Sequence, residues 1–321
     1  MTPKVVAITI NYNQSEHTKE CLCSLLNSSY KNLEVYVVDN GSSFEDYANL
    51  KRFIESQEKK AISLFRKDNN IGYVGGINFG MEAASRKSSD YFLILNNDTL
   101  IEQGSLANLV KVSEKYKQNS IVSGKVLDYE NKQVLQYVGQ YKDPKNGINQ
   151  LPVVKNNYEL DRGQYDREME MGMLDDIYWL IPRKLYGDIG GYSDYFFLYG
   201  EQNDYAFRAL SKGYKLIYTP DSRLWHKGSI TTGNGDRNSA KIDFWKRVAI
   251  LKLSELHLPK RKSKSFRINW ILRETLKSIY YLIFLKRPLK YFKSQILAIW
   301  YFYHWKSKKY KDNGFNPFSQ D

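Results

Sequence analysis

Two short apolar runs in the first hundred residues end abruptly in acidic and amide side chains. Phe92–Leu95 is followed by Asn96-Asn97-Asp98, and Leu33–Val38 is followed by Asp39. Such runs are typical of strands buried on both faces of a parallel sheet, and open α/β sheets bind ligands beyond the carboxyl ends of their strands. A carboxylate among neutral oxygen ligands suits a hard divalent cation that carries a phosphate-bearing substrate. The alternative is that both aspartates only cap the next helix or shape a turn.

A glycine-rich segment, Asn70–Gly80, opens a predicted helix between these two strands and contains Gly72, Gly75 and Gly76. Missing side chains let a backbone approach a diphosphate, and a helix N-terminus favours anions. A close contact between helix and sheet would explain the glycines equally well. The segment is not a phosphate-binding Walker loop, because no Gly-Lys-Ser/Thr follows. A dinucleotide fingerprint is also excluded, since the first strand ends in Asn11-Tyr12-Asn13.

Acidic residues recur at the start of a later predicted helix. Glu201 and Asp204 are three residues apart and share one helical face. The positive end of the helix dipole would keep them ionised, as a general base requires. The alternative is charge complementation of the helix, with an ion pair between Asp204 and Arg208. His226 follows a predicted strand and is either a packing residue or a further ligand of the metal.

The elements that position these residues alternate between strand and helix patterns. We expect strands near 4–10, 33–38, 61–66, 91–95 and 120–127, and helices near 16–27, 44–57, 74–86 and 104–117. This rhythm predicts an α/β fold with a mostly parallel, doubly wound sheet. The polar stretch 141–167 is predicted to be a long excursion from it. After Lys241 the pattern becomes helical, with breaks at Pro259 and Pro288.

Charge is concentrated at the C-terminus. The net charge of the 321 residues is +13, and residues 241–321 contain about 19 basic against 5 acidic residues, so this tail holds essentially the whole excess. Tyr and Trp beside Lys and Arg suit a helix at an anionic membrane surface, although an ordinary helical cap with a solvated basic face is the alternative. Nucleic-acid binding is not expected, because no recognisable nucleic-acid module accompanies the charge.

Two further features bear on location. Cys21 and Cys23 form neither a disulfide framework nor a metal pattern, which fits a reducing compartment. The first apolar run lacks a cleavage site, and no apolar stretch reaches the length of a membrane span. We therefore expect a cytoplasmic protein, peripheral on the inner face of the cell membrane.

In this order, the motifs resemble those of the family 2 glycosyltransferases, which are inverting enzymes with a GT-A fold. The rhamnosyltransferase-like members that build bacterial surface polysaccharides are the most similar subgroup. The resemblance covers roughly residues 5–229 and rests on Val38–Ser42, Asn70–Asn78, Leu95–Asp98, Phe196–Arg208 and His226. It implies a UDP- or dTDP-linked sugar donor and a divalent cation, Mn²⁺ or Mg²⁺.

The resemblance also implies roles for individual residues. Asp98 and His226 would hold the metal, and Glu201 or Asp204 would act as the catalytic base. Asp176, Trp179 and Gln202 would line the sugar and acceptor pocket. The residues expected to contact the nucleotide sugar are Thr9, Asn11, Asp39, Asn70, Gly75, Gly76, Asn78, Asn96 and Asn97.

One position departs from the family pattern. Where the family commonly carries the acid that serves as base, this chain has Gln202, an amide that cannot accept the proton. Glu201 or Asp204 would have to replace it. Alternatively, the chain is a catalytically silent homologue that binds nucleotide sugar within an assembly. A nucleotidyltransferase with a similar sheet is the other enzyme alternative.

The sequence as a whole predicts a GT-A-type catalytic domain over residues 1–235 and a helical, basic, aromatic, membrane-associating extension over 236–321. We expect an inverting, metal-dependent glycosyltransferase that adds a sugar, with rhamnose favoured, to a growing lipid-linked cell-surface glycan. Its expected partners are the nucleotide-sugar donor, the lipid-linked acceptor and an anionic membrane surface.

Overall fold

The computed structural model describes residues 2–57, 61–143, 148, 150–154, 158–228 and 239–318. The strands within these ranges are β1 Val5–Asn11, β2 Leu33–Asn40, β3 Ile62–Lys67, β4 Tyr91–Leu95, β5 Thr99–Ile101, β6 Ser120–Asp128, β7 Val134–Tyr137, β8 Gln140–Lys142, β9 Gln150–Pro152, β10 Glu159–Leu160, β11 Met169–Glu170, β12 Tyr178–Pro182 and β13 Lys215–His226. The helices are α1 Ser15–Leu26, α2 Phe44–Glu55, α3 Gly72–Ser85, α4 Ser105–Lys115, α5 Arg183–Ile189, α6 Glu201–Ser211, α7 Ala240–His257, α8 Lys260–Ile283 and α9 Leu289–Lys308.

The main sheet is mixed, with a parallel half that carries the N-terminal motifs. Its strand order is β10-β7-β6-β12-β4-β1-β2-β3. β3, β2, β1 and β4 are parallel neighbours, while β12 runs antiparallel between β4 and β6. The five predicted strands correspond to β1–β4 and β6, and they and the four predicted helices agree with the structure to within two residues; the short β5 was not predicted. The mainly parallel α/β sheet is therefore confirmed, and the antiparallel insertion of β12 is an addition to it.

Helices cover both faces of the sheet, as the apolar pattern of its strands requires. All five residues of β4 and all five of β12 are buried. On one face they pack with α3 through Ile77 and Met81. On the other face they pack with α1 and α4 through Leu22 and Leu109. The strand ends that carry polar residues are thus held between two apolar layers.

The C-terminal helices pack onto the sheet domain. α8 and α9 begin directly after Pro259 and Pro288, where the sequence predicts breaks. Ala249 and Leu253 of α7 belong to the same buried cluster as the sheet residues. The predicted division between residues 235 and 236 lies outside the described residues and stays a prediction.

A buried cation joins α7 to both the loop before α6 and the C-terminal segment. The Lys252 side chain is almost fully buried, and its Nζ donates to the Tyr195 carbonyl and to Asp312 Oδ2, each at 2.6 Å. Nearby, Phe197 fills the space beside Gly72 and Gly314, and a Cβ on either glycine would come within 2.8 Å of its ring. The tail therefore supports the loops that lead into the candidate site.

A helix that crosses a bilayer needs about 20 predominantly apolar residues. Across the described part of the chain, no helix is both long enough and apolar enough to cross one.

Candidate active site

Asp98 and His226 meet at the end of the parallel half of the sheet. His226 is the last residue of β13, and its Nε2 lies 3.4 Å from Asp98 Oδ1. Both side chains are buried. The other ring nitrogen, Nδ1, lies 2.7 Å from Gln136 Oε1. The Gln136 amide oxygen accepts a hydrogen bond from Nδ1–H, so in the neutral imidazole Nε2 is the nitrogen that could bind a metal ion beside Asp98.

This pair fits a divalent cation chemically. Metal–ligand distances of about 2.1 Å place neighbouring donors roughly 3 Å apart, close to the observed separation of imidazole and carboxylate. Burial raises the pKa of Asp98, but the hydrogen bond and the charge of a protonated His226 outweigh the burial and hold that pKa below its ordinary value. A metal ion would take the place of the proton on Nε2. Among the described residues no group of three His, Cys, Asp or Glu side chains could hold a metal. A cation here would therefore need the oxygens of a bound ligand.

A hydrogen-bond chain connects the predicted donor-binding residues. Asn97 Nδ2 donates to Thr18 Oγ1 at 2.9 Å, and that hydroxyl donates to Asn11 Oδ1 at 2.8 Å. Asn11 Nδ2 in turn donates to Asp39 Oδ1 at 2.9 Å and to Asp46 Oδ2 at 2.8 Å. β1, β2 and the loop after β4 are thereby fixed to one another. Thr18 and Asp46 were not predicted, because only the folded chain brings α1 and α2 beside β1.

Two buried polar atoms next to this series of hydrogen bonds lack a hydrogen-bond partner among the described residues. They are Thr9 Oγ1 and Asp39 Oδ2. The guanidinium of Arg66 is 4.0 Å from Asp39 Oδ2, too far for a hydrogen bond. Because an unsatisfied buried polar atom costs about 1–3 kcal/mol, such atoms point to a ligand that completes them.

The glycine-rich segment is held by side chains that cross to its neighbours. Asn70 Oδ1 accepts from the Gly72 amide at 2.8 Å and from Asn40 Nδ2 at 3.1 Å. A Cβ on Gly76 would lie 2.7 Å from Ile10, and one on Gly75 would lie 3.0 Å from Ile71. The close helix–sheet contact considered from the sequence is therefore the observed reason for Gly76.

Two of the predicted donor-binding asparagines are anchored within the protein. The Asn78 side chain pairs with the backbone of Tyr192, donating to its carbonyl at 2.8 Å and accepting from its amide at 2.7 Å. Asn78 thus fastens α3 to the loop before α6. Asn96 is held by its backbone amide, which donates to the Ile177 carbonyl at 3.0 Å, while its side chain is half-buried.

Three carboxyl groups cluster where β12 and α6 begin. Gln202, with its amide nitrogen facing them, donates to Asp176 Oδ1 at 2.6 Å and to Asp175 Oδ1 at 3.2 Å. The Tyr192 hydroxyl donates to Asp176 Oδ2 at 2.7 Å. Burial, and after it the charge of Asp175, raise the pKa of Asp176 to about 7. Burial also raises the pKa of Asp175, and the charge of His226 partly opposes it.

Glu201 is the third member of the cluster. Its Oε2 is buried and has no hydrogen-bond partner among the described residues. Burial, followed by the charge of Asp176, raises the pKa of Glu201 well above its ordinary value. The preceding Tyr199 and Gly200 have φ of 66° and 91°, so the backbone turns sharply to direct Glu201 inward.

A cavity of about 340 Å³ opens beside this cluster. Its lining includes Asp175, Gln202, Asn203, Tyr137 and Ile250. Neither Glu201 nor Asp176 belongs to the lining, so Asp175 is the carboxylate that faces the cavity. Sequence reasoning missed Asp175, although the adjacent acids Asp175 and Asp176 directly before a buried strand were a usable signal.

Asp204 and Trp179, two further residues predicted for the site, do not line the cavity either. Both carboxylate oxygens of Asp204 are engaged, Oδ2 with Arg208 Nε and Oδ1 with His257 Nε2, each at 2.8 Å. Asp204 therefore joins α6 to α7. Trp179 is fully buried in β12, with its ring against those of Tyr192 and Tyr205.

Comparison with known proteins identifies the family. The glycosyl transferase family 2 model matches residues 6–190, which include the strand-end acids and the carboxyl cluster up to Asp176. The chain belongs to glycosyl transferase family 2. The predicted glycosyltransferase family is thereby confirmed.

Similar sequences agree with this assignment. An uncharacterized glycosyltransferase of Haemophilus influenzae is 27% identical over 35% of this chain and 33% of its own length, so the chain matches about a third of that relative. Glycosyltransferase GlyA of Streptococcus pneumoniae is 28% identical over 37% of this chain and 16% of its own length. The N-acetylglucosaminyl-diphospho-decaprenol L-rhamnosyltransferase of Mycobacterium tuberculosis is 21% identical, but over 86% of this chain and 91% of its own length.

Solved structures confirm the GT-A-type fold. A mannosyltransferase from Pyrobaculum calidifontis, in complex with GDP-Man and Mn²⁺, has a TM-score of 0.56 at 16% identity and covers 96% of this chain and 76% of its own. GalNAc-T7 with UDP, GalNAc and Mn²⁺ has a TM-score of 0.58 at 15% identity and covers 87% of this chain and 57% of its own.

Proposed function

We propose that the chain is an inverting, metal-dependent glycosyltransferase that moves a sugar from a UDP- or dTDP-linked donor to a lipid-linked cell-surface glycan. The observation that carries this proposal is the position of Asp175. It faces the acceptor-sized cavity beside Gln202 and also lies within electrostatic reach of His226. The metal-binding pair and the carboxyl cluster therefore flank one space, as a single displacement at a sugar carbon requires.

The donor would occupy the strand ends on the metal side. Thr9 Oγ1 and Asp39 Oδ2, which are buried without partners among the described residues, would hydrogen-bond the nucleoside. Asp98 and His226 would hold Mn²⁺ or Mg²⁺ together with the diphosphate oxygens. That ion would neutralise the negative charge that develops on the departing nucleoside diphosphate.

The acceptor hydroxyl would attack from the cavity side. Its oxygen forms the new bond to the anomeric carbon as the bond to the diphosphate oxygen breaks, and its proton passes to a carboxylate. We propose Asp175 as this base, because Asp175 faces the cavity. Glu201, predicted from the sequence, does not line the cavity, and its strongly raised pKa would keep it protonated, so that it adds no third negative charge beside Asp175 and Asp176. A base with a raised pKa suits proton transfer near neutral pH.

The nature of the acceptor is inferred from the relative that aligns over most of the chain. That Mycobacterium tuberculosis protein is named as a rhamnosyltransferase acting on a diphospho-decaprenol-linked sugar. Rhamnose is therefore the favoured sugar, and a lipid-diphosphate-linked saccharide is the favoured acceptor.

The tail offers a surface for such a membrane-bound acceptor. Ile268, Leu272 and Leu276 recur at helical spacing along α8, and each is more than half exposed. Lys286, Arg287 and the basic residues of α9 follow them. An apolar stripe bordered by cations suits the inner face of an anionic membrane. Leu272→Gln with Leu276→Gln should weaken sedimentation with vesicles rich in phosphatidylglycerol, whereas the matched control Leu160→Gln, at an exposed position of β10, should leave it unchanged. Equal sedimentation of all proteins would contradict this surface.

The experiment that tests the function is a donor panel. The protein is incubated with individual UDP-, dTDP- and GDP-sugars and Mn²⁺, and free nucleoside diphosphate is measured with and without a lipid-diphosphate-linked saccharide. We expect release from one donor class, stimulated by the acceptor. Binding of nucleotide sugar without release of nucleoside diphosphate would favour a catalytically silent homologue, the alternative raised by the amide Gln202 at the usual position of the acid. Release of pyrophosphate from a nucleoside triphosphate would favour a nucleotidyltransferase.

A further inference from the structure

A second cavity lies between α7 and α8, outside the site described above. Its volume is about 370 Å³, which is within the usual range of ligand pockets. Four cations and two carboxylates are among its lining residues, so positive charge is in excess: Lys246, Arg247, Lys277, Arg287, Asp243 and Glu274.

The two carboxylates are committed to one of the cations. Arg247 Nε donates to Asp243 Oδ2 at 2.7 Å, and its Nη1 lies 3.7 Å from Glu274 Oε2. Glu274 is also paired with Arg273 at 3.1 Å. The acidic side of the cavity is thus already neutralised by arginine.

Lys277 and Arg287, among the lining cations, have no counter-ion in the described residues. In the described part of the chain neither has a carboxylate within the 4.0 Å of an ion pair. Both lie over the Tyr281 ring, at 5.6 and 5.9 Å from its centre, and Arg287 also lies 3.9 Å from the centre of the Tyr291 ring. Aromatic contacts orient these cations without cancelling their charge, which favours binding of an anion.

The position of the cavity indicates which anion it would bind. Ile250 of α7 lines both this cavity and the one that contains Asp175 and Gln202, so the two adjoin at one side chain. Arg287, which lines the cavity, is flanked in the chain by three apolar side chains that are each more than half exposed: Phe284, Leu285 and Leu289. Carboxylates, uncompensated cations and an apolar surface therefore follow one another along the molecule.

We propose that Lys277 and Arg287 bind the diphosphate of the lipid-linked acceptor, with its saccharide reaching toward Asp175 and its hydrocarbon chain along the exposed Phe284, Leu285 and Leu289. This inference rests on the proposed function, because it assigns a subsite to the acceptor named there. It adds the chemical group recognised, a diphosphate ester, and the two side chains that recognise it.

Binding of farnesyl diphosphate tests the proposal without any sugar transfer. Trp270 lines the cavity, so its fluorescence should report binding, and Trp270→Phe should remove that signal. EDTA and an Asp98→Ala background keep the probe from the metal-binding pair. Lys277→Ala and Arg287→Ala should each weaken binding roughly 10-fold to 100-fold, the value of one charge-assisted contact.

Matched controls separate this contact from general charge. Lys264→Ala removes an exposed lysine of the same helix and should leave affinity within about twofold. Arg287→Lys should retain most of the binding, and farnesol should bind weakly to every variant. Retention by Arg287→Lys also shows that loss in Arg287→Ala does not come from misfolding.

Several outcomes would overturn the proposal. One is equal affinity of wild type, Lys277→Ala and Arg287→Ala for farnesyl diphosphate. Another is equally tight binding of dioctanoyl phosphatidylglycerol with the same dependence on both residues, because that would make the cavity a phospholipid headgroup site. Diphosphate binding in a protein that releases no nucleotide from any donor would instead leave the subsite standing and refute the proposed function.

Discussion

Replacing Asp176 with asparagine should stabilise the protein at neutral pH and do so much less at acidic pH. Asp176 is 6% exposed and sits between Asp175 and Glu201. Burial, and then the charge of Asp175, raise its pKa from an ordinary 3.8 to about 7. The wild-type protein must therefore either keep a proton on Asp176 or bury a charge among like charges.

The size of the effect follows from proton linkage. Because the folded-state pKa lies above the unfolded value, folded Asp176 binds a proton that the unfolded chain has released. Its stabilising contribution is complete below about pH 4 and is lost as the pH rises to about 7. At 1.36 kcal/mol per unit the full loss is roughly 4 kcal/mol, of which roughly 2–3 kcal/mol falls between pH 5 and pH 8. Asparagine has no such dependence.

Urea unfolding at pH 5 and pH 8 in EDTA measures this directly. The free energy of unfolding of Asp176→Asn minus that of wild type should increase by roughly 2–3 kcal/mol between the two pH values. Any fixed cost of fitting the amide beside Tyr192 and Gln202 cancels in that comparison. Asp221→Asn, at an exposed position of β13, is the matched control and should show almost no change.

Two results would refute the reasoning. If the difference between Asp176→Asn and wild type is the same at both pH values, Asp176 is not protonated in the folded state. If the difference shrinks at pH 8, ionised Asp176 is stabilised, and the cluster does not share protons as inferred.

Four other substitutions test three separate parts of the account. Asp175→Asn should lower turnover by roughly 10²-fold or more, as expected for a lost general base, with donor binding nearly unchanged, whereas Glu201→Gln should chiefly shift the pH profile; full turnover of Asp175→Asn with an inactive Glu201→Gln would transfer the role to Glu201. Asp98→Ala should abolish the Mn²⁺ dependence of nucleotide-sugar binding in calorimetry, and an unchanged response to metal would contradict the metal assignment. Lys252→Met leaves Asp312 buried without its cation and should cost about 3–5 kcal/mol in urea unfolding, so a cost below 1 kcal/mol would contradict the link between tail and site.

The strand-end residues were predictable because they depend on local pattern. A buried apolar run followed by an acid fixes both the strand and its polar end, so Asp39 and Asp98 could be placed at one edge of the sheet. The structure puts Asp98 and His226 together as expected, although 128 residues separate them in the chain. His226 could be associated with that edge only through the family resemblance.

The carboxyl cluster was less predictable, because it depends on contacts between distant segments. Helical spacing puts Glu201 and Asp204 on one face, but it cannot show that the His257 ring forms a hydrogen bond with Asp204. Nor does it show that Asp175, rather than Glu201, faces the cavity. That arrangement follows from β12, which enters the sheet antiparallel between two strands of the parallel set.

The tail shows the limit of composition. Its basic and aromatic character predicts what it touches outside the protein, and the exposed stripe of α8 is consistent with that. Composition does not reveal that Lys252 is buried between Tyr195 and Asp312. A buried cation with two oxygen partners has the same sequence signal as an exposed one.

The anomeric configuration of the product tests the central claim most directly. Wild-type protein, Mn²⁺, the active nucleotide sugar and a lipid-diphosphate-linked saccharide are combined, and the new linkage is assigned by NMR. We predict a linkage of opposite configuration to the donor, formed in equal amount to the released nucleoside diphosphate and absent with Asp98→Ala. A product of retained configuration would contradict the single displacement that the cavity, Asp175 and the metal-binding pair are proposed to carry out.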